Sequence, residues 1–426
     1  MTPGRVALVV GASVLATLLA VVLLRNLTAG EKQVERTIPR KYSIHDPDFV
    51  RAMGLALGPT VVGGNRIETL LNGDAIFPSM LQAIRSARHT ITFETYIYWS
   101  GEIGRLFAEA LAERAAAGVQ VHLLVDWLGG NKMEERFITL MEGAGVEFRK
   151  YRPLRWYNLH RLNNRTHRKL LVVDGRTGFT GGVGIAEVWT GNGQDPEHWR
   201  DTHFRIEGPV VAQMQAAFMD NWIETTGAVL HGSEYFPELV AAGTDSAQLF
   251  SSSPTGGSDS MALMYLLAIT AAQRSIDLSS AYFVPDDLAT KALTDALARG
   301  VRIRIITPGK HMDAETVRRA SRARWGPLLS AGAEIHEYQP TMYHCKVFIV
   351  DGLLVSVGST NFDPRSFHLN DEASLNIYDA EFARQATADF ERDLTRARRI
   401  SPAEWENRPL REKIMERLAS LLGAQL

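Results

Sequence analysis

His167-Arg168-Lys169-Leu170-Leu171-Val172-Val173-Asp174 returns, in residue type and spacing, as His344-Cys345-Lys346-Val347-Phe348-Ile349-Val350-Asp351, 177 positions later. Each copy runs on at the same offset into a glycine-rich stretch, Gly181-Gly182 in the first and Gly358-Ser359 in the second. The four apolar residues inside each copy read as a buried strand, and residues two apart lie on the same side of an extended chain. Each motif therefore presents an imidazole and an ammonium together at the start of a strand. A neutral imidazole can attack phosphorus, and a protonated one can donate to a leaving oxygen. A lysine supplies positive charge where a pentacoordinate phosphorane gathers negative charge. This arrangement requires no metal and no other cofactor. The candidate catalytic set is His167, Lys169, Asp174, His344, Lys346 and Asp351. Asp174 and Asp351, at the far end of each strand, suit structural hydrogen bonds or ion pairs better than contact with substrate.

Working outward, the flanking sequence repeats as well. Residues 80–84 read as an amphipathic helix that leads through Ala87 into a β-rich run at 91–98. Residues 266–269 lead in the same way through Ala272 into 276–283. A second helix follows in each half and ends at Gly118 or Gly300, where a left-handed C-terminal residue is needed. Gly145-Val146-Glu147-Phe148 then matches Gly332-Ala333-Glu334-Ile335. Alternating helices and short apolar strands predict two α/β halves, helices covering a largely parallel or mixed sheet. The seam falls within 230–258, dividing the chain into domains at 45–235 and 236–400, and the Ser/Gly/Pro-rich stretch 251–258 reads as a loop there.

The totals are those of a globular protein, with 45% hydrophobic and 22% charged residues, and a length of 426 suggests two or three domain-sized units. A net charge of −2 gives no sign of a general nucleic-acid binder. The lone Cys345 excludes an intrachain disulfide and a thiolate zinc cluster, and reads as a small space-filler.

Residues 6–24 form an uncharged apolar run between Arg5 and Arg25, roughly 28 Å long as a helix and close to the thickness of a hydrocarbon core. An uncleaved anchor over 1–25 is expected, the alternative being a long signal peptide cut near Ala29. Arg25, Lys32, Arg36, Arg40 and Lys41 outnumber Arg5 and place the catalytic bulk in the cytoplasm. Residues 26–44 read as a polar linker. At the other end, 401–426 form an amphipathic helix with Leu410, Ile414, Leu418, Leu421 and Leu422 on one face. That face is expected to pack on the second half, with the bilayer as the alternative.

The paired motifs resemble the phospholipase D superfamily, whose signature is His-x-Lys-x4-Asp followed by Gly-Ser or Gly-Gly and often Asn. The second copy fits in full, from His344 through Ser359 to Asn361, while the first has Gly184 where Asn is common. The stretches 361–372 and 179–186, with Trp199-Arg200-Asp201-Thr202-His203, narrow the resemblance to bacterial cardiolipin synthases over about residues 65–400. The resemblance implies two duplicated phospholipase D-like α/β/α sandwich domains related by pseudo-twofold symmetry. It implies His167 as nucleophile and His344 as acid, then base. In such proteins an acidic residue downstream orients each histidine, which assigns Asp201 to His167 and Glu372 to His344. Gly182, Ser359 and Asn361 would support or bind phosphate. Glu94 matches an acidic position near the family's site, and a structural salt-bridged carboxylate fits it equally well.

Other histidines (His122, His160, His203, His336 and His368) lack metal-ligand spacing and read as structural or surface residues. Arg152-Pro153-Leu154-Arg155-Trp156-Tyr157, with Arg161 and Arg165, is a basic aromatic segment suited to a lipid headgroup or to a solvated loop. The expected protein is a phosphatidyltransferase anchored in the bacterial inner membrane, joining phosphatidylglycerol molecules into cardiolipin. A hydrolytic phospholipase D is the near alternative and a superfamily nuclease a distant one.

Overall fold

The computed structural model describes residues 2–27, 34–154, 163–254 and 260–421, with side chains over 2–22 in the first of these. Helix α1 (Pro3–Leu27) is a single uninterrupted helix. Its window Pro3–Val22 has a mean hydropathy of 2.3 and is wholly unburied, which fits a membrane anchor. Beyond it the reading of 26–44 as a polar linker needs correction. Ile44 is fully buried, and Ile38 and Tyr42 pack beside it against the second half. Helix α2 (Pro47–Leu57) continues this attachment, burying Phe49, Met53 and Leu57 in the same cluster. Residues 45–57, expected in the first domain, thus belong by packing to the second.

The first half contributes strands β1 (Val62–Leu71), β2 (Thr90–Thr95), β3 (Gln120–Asp126), β4 (Glu147–Tyr151), β5 (Leu170–Val173), β6 (Thr177–Gly181) and β7 (Thr202–Glu207). Its helices are α3 (Asn72–Ser86), α4 (Glu102–Ala116), α5 (Glu135–Gly143) and α6 (Val211–Thr226). The second half contributes β8 (Asp245–Ser252), β9 (Ser275–Ser280), β10 (Arg302–Pro308), β11 (Glu334–Tyr338), β12 (Lys346–Val350), β13 (Leu354–Gly358) and β14 (Glu372–Tyr378), with β15 (Ala397–Ile400) as an added edge. Its helices are α7 (Ser260–Ala271), α8 (Asp287–Ala298), α9 (Glu315–Ser330), the short α10 (Pro364–His368) and α11 (Ala380–Leu394). Helices α12 (Pro402–Glu406) and α13 (Leu410–Ser420) close the chain.

All the strands join one sheet. From the central antiparallel pair β1 and β8, the order runs outward as β7-β6-β5-β2-β3-β4 on one side and β14-β13-β12-β9-β10-β11 on the other. The same order in both directions is the expected pseudo-twofold duplication. Within each half β2-β3-β4 and β9-β10-β11 are parallel, joined by crossover helices, and the motif strands β5 and β12 enter antiparallel to β2 and β9. Strand β8 takes up the first two residues of the stretch expected as a loop: Ser251 and Ser252 pair with Ala373 and Glu372, Ser253 and Pro254 follow as a bridge and a turn, and 255–258 lies outside the described residues.

Both motif strands are buried on two faces. Leu171 and Val173 face the core under α3, α4 and α5, while Leu170 and Val172 face a third cluster shared with α6 and α11. Layers of helix on each side make such continuous apolar runs stable. Gly118 and Gly300 take φ of +91° and +89° just past α4 and α8, the conformation that favours glycine. Cys345 is buried in the shared cluster, its thiol pushed up to about 12 by burial.

The C-terminal helix reverses the expectation from its pattern. Glu416 and Ala419 are its buried residues, whereas Leu410, Ile414, Leu418 and Leu421 stand in solvent. Glu416 accepts from Arg322 Nε at 3.0 Å and from Arg408 Nε at 2.6 Å, and this buried ion pair fixes the inward side.

Candidate active site

Two short backbone bridges across the seam build the site. Thr166 pairs in parallel with Asp371, and Arg200 with Tyr343. Around the first bridge, His167 N–H donates to Asp371 C=O at 2.8 Å, and Asp371 N–H to Arg165 C=O at 2.9 Å. Around the second, His344 N–H donates to Arg200 C=O at 2.8 Å, and Arg200 N–H to Met342 C=O at 3.0 Å. Each bridge sets the acid that follows it against the histidine of the opposite half. His167 Nδ1 therefore lies 3.0 and 3.1 Å from the two carboxylate oxygens of Glu372. His344 Nδ1 lies 2.7 Å from Asp201 Oδ2. The assignment of Asp201 to His167 and Glu372 to His344 is corrected by this geometry: the pairs cross between halves.

The residues after each motif hold these acids. Ser359 Oγ donates to Glu372, and Asn370 Nδ2 approaches it at 3.4 Å. At the equivalent place Gly182 has no side chain, and a Cβ there would stand 2.1 Å from Asp201 Oδ1. The missing hydroxyl is replaced by Trp189, whose Nε1–H donates to Asp201 Oδ2 at 3.0 Å. Trp189 also explains Gly184, because a Cβ at Gly184 would press on Ile97 at 2.8 Å and on the Trp189 ring at 3.1 Å. The indole occupies room that an asparagine would need. Trp189 was not singled out from the sequence, and Trp199 only as the start of the stretch 199–203. Their rings lie 5.3 and 5.4 Å from His344, and neither stands in the repeated pattern that could have revealed it.

Lys169 Nζ donates to its own motif's His167 C=O at 2.9 Å, and Lys346 Nζ to His344 C=O at 2.6 Å. Burial, reinforced by the neighbouring Lys346, pushes Lys169 down to about 7. Lys346 is lowered by burial as well. Burial also pushes His167 down to about 4, with Glu372 opposing and the two lysines adding to the shift. His344 is lowered by burial and by Lys346, against the pull of Asp201. Burial works to raise both carboxyls, yet the facing histidines and their hydrogen bonds hold Asp201 and Glu372 below the usual range. A neutral His167 with Nδ1–H on Glu372 carries its lone pair on Nε2.

His167, Lys169 and His344 line one cavity of about 160 Å³ together with Asn361, Arg165 and Arg365. Asn361 Oδ1 and Asn370 Oδ1 are buried there without a protein partner. Tyr282 O–H donates to Asp313 at 2.7 Å on the same wall. Asp363, also lining, is raised to about 7 by burial.

The remaining expected residues stand back from the cavity. Asp174 accepts backbone N–H groups of Arg88, His89 and Thr90, and Asp351 those of Gln273, Arg274 and Ser275. Both sit at φ near +52°, a left-handed turn that aspartate tolerates. They tie each motif strand to its neighbour, so their place in the catalytic set becomes a structural one. Glu94 accepts from Thr166 Oγ1 at 2.5 Å and Asn221 Nδ2 at 2.6 Å, behind His167, and burial raises it to about 7. His122 joins Glu147 at 3.1 Å and Tyr235 at 2.8 Å, a structural contact. Of the basic aromatic segment, Arg165 reaches the cavity and Arg152 pairs with Glu224 at 2.9 Å. Arg155, Trp156, Tyr157, His160 and Arg161 lie outside the described residues. Among the described residues no group of three or more His, Cys, Asp or Glu could hold a metal ion.

Residues 80–222 and 265–394 match the family described as cardiolipin synthase, PLD-like domain. A cardiolipin synthase of Geobacillus thermodenitrificans is 36% identical over 360 residues, covering 84% of this chain and 72% of that protein. Cardiolipin synthase 1 of Bacillus cereus is 32% identical over 416 residues, covering 95% and 81%. In fold, the chain is similar to the crystal structure of phosphatidylserine synthase from Haemophilus influenzae, with a TM-score of 0.68 and 14% identity over 89% of this chain and all of that one.

Proposed function

This chain belongs to the phospholipase D-like family of cardiolipin synthases, and on that premise we propose that it condenses two phosphatidylglycerol molecules into cardiolipin and glycerol through a phosphohistidine. His167 Nε2 attacks the phosphorus of the first lipid. The bond to the glycerol oxygen breaks, and His344 supplies that oxygen's proton. His344 then takes the proton from a glycerol hydroxyl of the second lipid as its oxygen displaces His167. Lys169 and Lys346 balance the charge of the pentacoordinate phosphorus in both steps. Glu372 holds neutral His167 with its Nε2 lone pair toward the phosphorus, and Asp201 holds protonated His344 with its Nε2–H toward the leaving oxygen. Gly182, Ser359 and Asn361 support these acids or meet phosphate oxygens directly.

The observation that carries this reading is the crossed pair: two imidazoles, each backed by a carboxylate of the opposite half, lining one cavity together with Lys169. Purified protein incubated with labelled phosphatidylglycerol tests it. Cardiolipin with glycerol is the expected product, and phosphatidate alone would make the protein a hydrolase. α1 serves as anchor in the inner membrane, with the catalytic region on the cytoplasmic side where Arg25, Lys32, Arg36, Arg40 and Lys41 favour it. Digestion of the catalytic region by protease added to intact spheroplasts would overturn that orientation.

A further inference from the structure

Helix α13 turns a carboxylate inward and its leucines outward. Its hold on α9 is made by Glu416, 2% exposed and paired with Arg322 and Arg408, and by Ala419. On the other side Leu410, Ile414, Leu418 and Leu421 are 73, 52, 55 and 79% exposed. At 3.6 residues per turn these four fall within roughly a quarter of the circumference. Arg411 flanks the stripe on one side, with Lys413 and Arg417 on the other. Single exposed leucines are ordinary, but a continuous apolar stripe rimmed by cations has the composition of a helix that lies in a membrane interface.

The position of the helix names what covers it. Ala419 packs with Val284, Val317 and Ala320, and Tyr282, Met312 and Ala314 rest on that cluster. Tyr282 and Asp313 line the catalytic cavity. The C-terminal end of the stripe therefore adjoins the wall of the site. The cavity, at about 160 Å³, takes a headgroup and leaves the acyl chains outside it. A lipid drawn into such a site keeps its chains in the bilayer only if the site rests on the surface. One N-terminal span tethers the protein but leaves its catalytic face free to turn.

We propose that α13 is a membrane-docking helix lying in the headgroup layer of an anionic bilayer. Leu410, Ile414, Leu418 and Leu421 point to the acyl chains, and Arg411, Lys413 and Arg417 meet lipid phosphates. Docking there seats the catalytic cavity on the surface that supplies its substrates, a consequence that rests on the lipid-substrate reading above. The full chain reconstituted in phosphatidylglycerol–phosphatidylethanolamine vesicles tests it. Ile414→Cys carries an environment-sensitive fluorophore, and Cys345 is buried away from the reagent. Glu412→Cys, on another face of α13, is the reference. The label at 414 is expected to be quenched by lipids spin-labelled on their acyl chains and to lose quenching by aqueous iodide, with the label at 412 showing the reverse. Iodide quenching of both labels alike would overturn the proposal. So would a label at 414 shielded from both quenchers, which would mean a second copy of this chain covers the stripe. The readout needs no turnover. Its failure would leave the reaction standing, and a failure to form cardiolipin would leave the docking measurement intact.

Discussion

Replacing the two orienting acids one at a time separates the two halves of the proposed chemistry. Glu372→Gln weakens the bond to His167 Nδ1, 3.0 Å in the native site, and Asp201→Asn the bond to His344 Nδ1, 2.7 Å. A hydrogen bond to a charged group contributes about 1.5–3 kcal/mol, and each 1.36 kcal/mol of barrier is tenfold in rate, so each change is expected to slow its step by about 10- to 150-fold. The steps differ in what they require. Forming the phospho-enzyme from phosphatidylglycerol needs both a nucleophile and an acid. Forming it from a phosphatidyl ester of p-nitrophenol needs the nucleophile alone, because nitrophenolate leaves without a proton. Rapid-quench trapping of the phospho-enzyme should therefore show Glu372→Gln slow with both substrates. Asp201→Asn should be slow with phosphatidylglycerol and close to wild type with the nitrophenyl ester. The opposite outcome, Asp201→Asn slow with the nitrophenyl ester and Glu372→Gln fast, would refute either the crossed wiring or the choice of His167 as nucleophile.

Gly182→Ala places a Cβ on the Asp201 carboxylate, so in the same trapping assay it should behave as Asp201→Asn does. Trp189→Phe removes the Nε1–H bond to Asp201. It is expected to cost turnover about tenfold or more, by the same charged-bond magnitude, in a cardiolipin-formation assay. Burial holds Lys169 near 7, so its protonated form is lost as pH rises past that value. Sulfate affinity should then fall between about pH 7 and 9, by at most tenfold per unit for one proton, with proton uptake on binding seen by calorimetry in buffers of different ionisation enthalpy. A sulfate affinity that stays level over that range would show that Lys169 does not hold the anion. Phe49→Ala in α2 empties a fully buried site against Tyr42 and Tyr378. It should destabilise the protein by about 3–5 kcal/mol in denaturant unfolding.

The sequence carried the duplication, the layered α/β class, both glycine helix ends and the six motif positions. All of these are local: a strand's apolar run, a two-residue spacing and a left-handed turn are encoded within a few neighbouring residues. The long apolar N-terminal helix was legible for the same reason, since it needs only length and hydropathy. Only the tertiary structure decided the partners. Glu372 lies 205 positions from His167, and Asp201 lies 143 from His344. The family resemblance pointed each acid to its own half's histidine, but the bridges at Thr166–Asp371 and Arg200–Tyr343 join the halves crosswise. Trp189 stayed hidden because it takes the place of a serine hydroxyl and an asparagine from outside the repeat. In α13, periodicity gave an apolar face correctly and its direction wrongly, because the Arg322 and Arg408 partners of Glu416 lie on other segments. Local sequence sets which side chains share a face. What that face meets depends on which surfaces come together when the two halves close.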